Sequence, residues 1–128
     1  MSFVSIIIPT YNTALLVERT LRSALGQTGG FELEILVVDD CSSDNTLEVV
    51  QSIDDSRIRV FRQERNQGPA AARNRGLYEA QGEYCAFLDG DDFWESEFLQ
   101  ETVSFLEAHP ECGAVSVGQC HMFIGKQP

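Results

Sequence analysis

Asp89-Gly90-Asp91-Asp92 sets three carboxylates within four consecutive residues. At that spacing they repel one another unless a cation or hydrogen bonds offset the charge. A divalent ion would do so. Mg²⁺ or Mn²⁺ takes one or two carboxylates from a protein and fills its other positions with water and phosphate oxygens, a chemistry suited to a nucleotide diphosphate. Gly90 allows close backbone approach at the same point. The plainer alternative is a solvated acidic turn capping a helix that begins near Ser96. Asp39-Asp40 is a second acidic pair. Asp40, an acceptor, matches the N–H and O–H donors of uridine, with Tyr11 placed to stack on the base, while Asp39 is expected to point into the sheet edge and hold its loop. Arg73 and Arg75, two residues apart, cannot share a helix face, so one is expected at the site and the other in solvent. Arginine is the side chain best able to contact a diphosphate.

The elements that must position these residues alternate regularly. Phe3 to Ile8 is apolar on both faces, as a strand buried between helices requires, and Pro9 is expected to end it. Asn12 is expected to cap a helix whose buried stripe is Val17, Leu21, Ala24 and Leu25, broken by Gly29-Gly30. Ile35 to Val38 reads as a second strand, followed by a helix capped within Ser42 to Asp44 and striped by Leu47, Val50 and Ile53. Ile58 to Phe61 is a third strand. Gly68 to Ala80 forms a closely packed helix, and Tyr84 to Leu88 a fourth strand. Leu99, Val103 and Leu106 mark a last helix before Pro110, and Ala114 to Val117 is expected as a fifth strand. Such a β-α series gives an open, mainly parallel sheet with helices on both faces, whose ligands bind at the carboxyl ends of the strands. The clusters Pro9 to Asn12, Asp39 to Ser43 and Asp89 to Asp92 should therefore share one rim.

With 128 residues the chain suits a single domain. A net charge of -11, from 20 acidic and 9 basic residues, disfavours a nucleic-acid partner. No window offers the roughly 20 apolar residues of a membrane span, and the N-terminus lacks the pattern of a signal peptide. Cys41, Cys85, Cys112 and Cys120 form no CxxC pair and are expected to be free thiols in a reducing cytosol, Cys85 as a small buried hydrophobe. The tail Gly125 to Pro128 stops without a terminating element, so the domain is expected to be truncated.

Four segments, Val4 to Asn12, Ile35 to Thr46, Asn66 to Gly76 and Tyr84 to Asp92, resemble in order and spacing the N-terminal half of family 2 glycosyltransferases of the GT-A fold. The resemblance covers nearly the whole chain. It implies a Rossmann-like GT-A domain over residues 1–128 that binds a nucleotide sugar, with the acceptor half missing. It implies that Thr10, Tyr11 and Asp40 hold the base, with Pro9 and Asn12 in the same loop, and that Asn66 and Arg73 lie near base and diphosphate. Asp89-Gly90-Asp91 looks like the family's DxD motif, with Asp91 the direct ligand of Mn²⁺ or Mg²⁺, Asp89 a ribose or water-mediated contact, and Asp92 behind them. Cys41 is given no role.

Members of that family are inverting enzymes, in which a carboxylate base deprotonates an acceptor hydroxyl that displaces the diphosphate. No residue from 93 to 128 is a credible base, so the catalytic group is expected beyond Pro128 and this segment alone is expected to be inactive. The donor would be a UDP-sugar and the acceptor a saccharide, lipid-linked or protein hydroxyl. Cytoplasmic residence follows, with contact to the inner face of the membrane or a homo-oligomer left open for the full-length protein. Three alternatives compete: a non-catalytic nucleotide-sugar-binding module, a HAD-type phosphatase with Asp89 as nucleophile, and a sugar nucleotidyltransferase. The second lacks the hydroxyl residue expected after Asp91, and the third lacks a glycine-rich basic loop after the first strand.

Overall fold

The computed structural model describes residues 2–118. Four strands alternate with four helices: β1 (Phe3–Thr10), α1 (Val17–Leu25), β2 (Glu32–Asp39), α2 (Thr46–Gln51), β3 (Ile58–Arg62), α3 (Pro69–Glu79), β4 (Tyr84–Phe87) and α4 (Phe98–Ala108). The strands form one sheet in the order β3-β2-β1-β4, and every neighbouring pair is parallel. The chain adds strands on one side of β1 and then crosses to the other. The strand order thus reverses at β1, and a crevice opens above the carboxyl ends of β1 and β4, where open sheets of this kind bind ligands.

Side chains along a strand alternate between faces, which divides the core in two. Val4, Ile6 and Ile8 of β1 and Leu33, Ile35 and Val37 of β2 pack with Val17, Leu21 and Ala24 of α1, Val50 of α2, and Leu99 and Val103 of α4. The other face meets α3, where a Cβ on Gly76 would collide with Ile7 Cγ2. Helices therefore cover both faces, as expected. Each fully buried Ile, Leu or Val contributes about 1.5–3 kcal/mol. An exposed pair such as Arg22–Glu18 contributes only a few tenths, so the two apolar layers hold the sheet together.

Two carboxylates, one within β2 and one just past its end, fasten α3 at its ends. Glu34, 5% exposed, accepts from Ser5 Oγ and from the Gln81 N–H, both at 2.6 Å, and from Arg59 at 3.0 Å. Asp40, just past the end of β2, accepts from the Gln67 and Gly68 N–H groups that lead into α3, at 2.8 and 2.9 Å. Burial acts to raise the Glu34 carboxyl, but the hydrogen bonds from Ser5, Gln81 and Arg59, with the Arg59 charge, outweigh it and hold the group below its ordinary value.

Four expectations are corrected. Pro9 does not end β1, which continues to Thr10; the carbonyls of Ile7 and Pro9 face β4, whose paired residues stop at Phe87, so the missing proline donor costs no ladder bond. Asn12 does not cap α1. Its backbone is left-handed, at φ 52°, and its side chain turns to the loop after β2. Cys85 is exposed because, among the described residues, β4 is an edge strand and no element covers its second face, where Phe87 is also 45% exposed. Residues 114–117 form no strand. Three apolar residues between Gly113 and Gly118 bury too little to hold a place in the sheet, and Val117 is 49% exposed. Cys120 and the tail from Gly125 lie outside the described residues.

Gly76→Ala is expected to lower stability by about 1–3 kcal/mol, measured by urea unfolding, because the methyl group must displace Ile7. The depressed Glu34 carboxyl adds stability that is fully present above its ordinary value and is lost as pH falls through its lower folded value. Melting temperatures of the parent chain and Glu34→Gln should therefore differ most at neutral pH and converge under acid.

Candidate functional site

The rim at the carboxyl ends of β1, β2 and β4 is built by strand alternation. Asp39 and Asp40 are adjacent and so diverge to opposite faces. Asp39, 1% exposed, accepts from Thr10 Oγ1 at 2.9 Å and from the Ser42 N–H and Oγ at 2.9 and 2.6 Å, and thereby ties β1 to the loop after β2. This is the holding role expected of it. Asp40 turns to the α3 side, where each of its oxygens already accepts one backbone N–H and keeps acceptor capacity for another donor. Asn12 Oδ1 accepts from the Ser43 and Asp44 N–H groups at 2.9 and 3.3 Å and from Ser43 Oγ at 3.3 Å, which locks the two loops together.

Beyond β4 the acidic loop comes back over the tip of β1. The Gly90 N–H donates to the Pro9 carbonyl at 3.1 Å, and a Cβ at Gly90 would lie 2.9 Å from Thr10 Cγ2 and 3.0 Å from the Pro9 oxygen. The close approach that Gly90 permits is therefore to the neighbouring strand. Asp89, Asp91 and Asp92 bring carboxylate oxygens within 4.8 Å of one another. An all-carboxylate, solvent-open set fits a hard cation that keeps several waters, as Mg²⁺ or Mn²⁺ does.

Arg73, on the first turns of α3, reaches across to Asp89 with NH2 2.9 Å from Oδ1. Arg75 diverges from it as helix geometry requires, yet it is not left in solvent: its guanidinium lies 5.0 Å from the centre of the Phe61 ring and 3.4 Å from Glu79. The half-buried Phe61 ring of β3 supplies a partner that helix spacing alone does not reveal.

Between these walls lies a cleft of about 440 Å³, within the size range of small-molecule sites. Its lining brings together Pro9, Thr10, Tyr11, Asp40, Asn66, Arg73, Asp89, Gly90 and Asp91. Asn12 is not among the lining residues, because its side chain serves the loop behind. Thr13, Gly68, Pro69 and Ala72 also line the cleft and are missed by the sequence. Gly68 and Pro69 belong to the run Asn66 to Gly76, whose turn into α3 was the available signal. Thr13 carried none. Its hydroxyl is buried without a partner among the described residues, a group that a bound water or ligand can satisfy.

Comparison with known proteins gives a consistent result. The chain matches Glycosyl transferase family 2 over residues 5–124. It is 43% identical over 105 residues to the putative teichuronic acid biosynthesis glycosyltransferase TuaG of Bacillus subtilis, covering 80% of this chain and 41% of that protein. It is 45% identical over 124 residues to the GalNAc(5)-diNAcBac-PP-undecaprenol beta-1,3-glucosyltransferase of Campylobacter jejuni, covering 94% of this chain and 38% of that protein. The chain thus spans about two fifths of the length of these relatives. Among solved structures, Staphylococcus aureus TarS in complex with UDP superposes with a TM-score of 0.77 at 37% identity, over 86% of this chain and 33% of that one. The mannosyltransferase PcManGT from Pyrobaculum calidifontis, in complex with GDP-Man and Mn²⁺, gives 0.73 at 32% identity, over 80% and 32%. A parallel sheet whose order reverses at β1, with acidic and basic groups converging above it, is a GT-A arrangement, and the chain belongs to glycosyl transferase family 2.

Proposed function

We propose that residues 1–128 form the nucleotide-sugar-binding part of an inverting glycosyltransferase that uses a UDP-sugar and a divalent cation. The observation that carries this is the single cleft lined by Asp40, Arg73, Asp89 and Asp91, which offers base acceptors, a diphosphate partner and cation ligands within one small volume. In this reading the free acceptor capacity of Asp40 takes a donor of the uracil or ribose, and Tyr11, 48% exposed, stacks on the base. Pro9, Thr10 and Asn66 shape that end of the cleft. Asp91 is the main cation ligand, joined by Asp89, and no described residue engages the Asp91 carboxylate. When bound, the Mn²⁺ or Mg²⁺ neutralises charge on the departing diphosphate.

Arg73 has the second part of that task. Its pair with Asp89 is half exposed, so it is weakly held and can be exchanged for phosphate oxygens, to which a guanidinium binds in a fork. Positioning and charge stabilisation on the leaving group are what this part of the molecule supplies. The base that activates the acceptor hydroxyl is assigned to sequence outside residues 1–128, and we infer that this segment alone binds donor without transferring sugar. A lipid-linked acceptor is supported by relatives whose names specify undecaprenyl diphosphate acceptors, and a cytoplasmic setting belongs to the same proposal. Among the described residues no helix is long and apolar enough to cross a membrane. Family membership leaves the phosphatase alternative without support.

Calorimetric titration with UDP tests the assignment. Mn²⁺ should strengthen UDP binding by at least about tenfold, and Asp91→Ala should abolish that increment while leaving the weak metal-free binding in place. Affinity that ignores Mn²⁺ and is unchanged in Asp91→Ala would refute it.

A further inference from the structure

Residues 88–97 link β4 to α4 and lie in neither helix nor strand, so their backbone groups must find partners elsewhere. One face of α1, with Gln27 just past its end, supplies them. The Thr20 hydroxyl, fully buried, has its one proton within reach of three carbonyls, those of Gly90 at 3.0 Å and Asp92 in the loop and that of Leu16 in its own helix at 3.2 Å. Ser23 Oγ donates to the Thr20 carbonyl at 2.7 Å and accepts the Trp94 N–H at 3.2 Å. Gln27 donates to the Glu95 carbonyl at 2.8 Å and accepts the Leu99 N–H at 2.9 Å. Positions 20 and 23 lie on one face of α1, and Gln27 follows two residues past its end. Arg19 joins them, with NH2 3.4 Å from the Asp91 carbonyl and its guanidinium 4.4 Å from the centre of the Phe93 ring.

These contacts end on main-chain atoms of residues 90–99 and on the Phe93 ring. The Gly90 and Asp92 carbonyls both turn inward to Thr20, so the loop is held from behind.

We propose that α1, through Thr20 above all, is the positioning element of the acidic cluster: it sets the spacing of the carboxylates and with it the affinity for a divalent cation. This rests on the cation assignment made above. A loop released from Thr20 would let mutual repulsion spread the carboxylates, and the loss would be read first in cation binding.

The test is Mn²⁺ binding followed by the electron paramagnetic resonance of free Mn²⁺, alongside metal-free UDP binding and melting temperature. Thr20→Val should weaken Mn²⁺ binding about tenfold with metal-free UDP affinity unchanged. Thr20→Ser, which keeps the hydroxyl, should bind as the parent does. Thr102→Val, which removes a buried hydroxyl on α4 bonded to the Phe98 carbonyl, should leave Mn²⁺ affinity alone. Parental Mn²⁺ affinity in Thr20→Val would overturn the proposal, as would equal losses of Mn²⁺ and metal-free UDP binding, which would mark a general loosening. A parent chain that binds no Mn²⁺ would instead overturn the cation assignment, and this proposal with it.

Discussion

Like charges resist being gathered, and the cluster at Asp89, Asp91 and Asp92 gathers three of them with oxygens inside 4.8 Å. At that separation each pair repels by roughly 1 kcal/mol in water and about 3.5 kcal/mol at the effective dielectric of a protein surface. Much of the surrounding structure answers that repulsion. Arg73 approaches from the α3 wall, Arg19 lies behind the loop, and the backbone is gripped by α1 and by the Pro9 carbonyl. The cluster remains open toward the cleft, where a cation or a cationic partner completes the balance.

The second organising device is the alternation of β2. Glu34, Leu36, Val38 and Asp40 point to the same side, so an acid stands at each end of an apolar pair. The six residue-to-residue steps from Glu34 to Asp40 cover about 20 Å, and the 11 residues of α3 about 16 Å. The two carboxylates thus reach the backbone just before and just after the helix, while Ile7 meets Gly76 between them. The helix that carries Arg73 is thereby placed at both ends by groups on one strand.

Much of this was legible in the residues themselves. Apolar runs flanked by turn residues revealed β1 and β2, and the clusters at Pro9, Asp39 and Asp89 did fall on one rim. What escaped depends on longer-range facts. Cys85 looks buried within Tyr84 to Leu88, but burial depends on whether β4 is central or at an edge, which only the strand order decides. Asn12 resembles a helix cap until its left-handed backbone is seen. Thr20 and Ser23 look like a solvated helix face and Gln27 like part of the turn after it, since uncharged polar residues that serve another segment's backbone carry no mark of it. Helix spacing sent one of Arg73 and Arg75 to solvent, and it cannot foresee the aromatic ring on a neighbouring strand that Arg75 meets.

The bond pair from Asp40 to Gln67 and Gly68 has a further consequence. Those two contacts join the β2 tip to the opposite wall at the floor of the cleft, so the walls cannot part or close freely there. An opening whose width is set by its own foundations selects by fit, admitting what matches the gap and rejecting what would need it widened. Discrimination among ligands at this end would then be a matter of size and shape, with adaptability reserved for Tyr11 at the mouth.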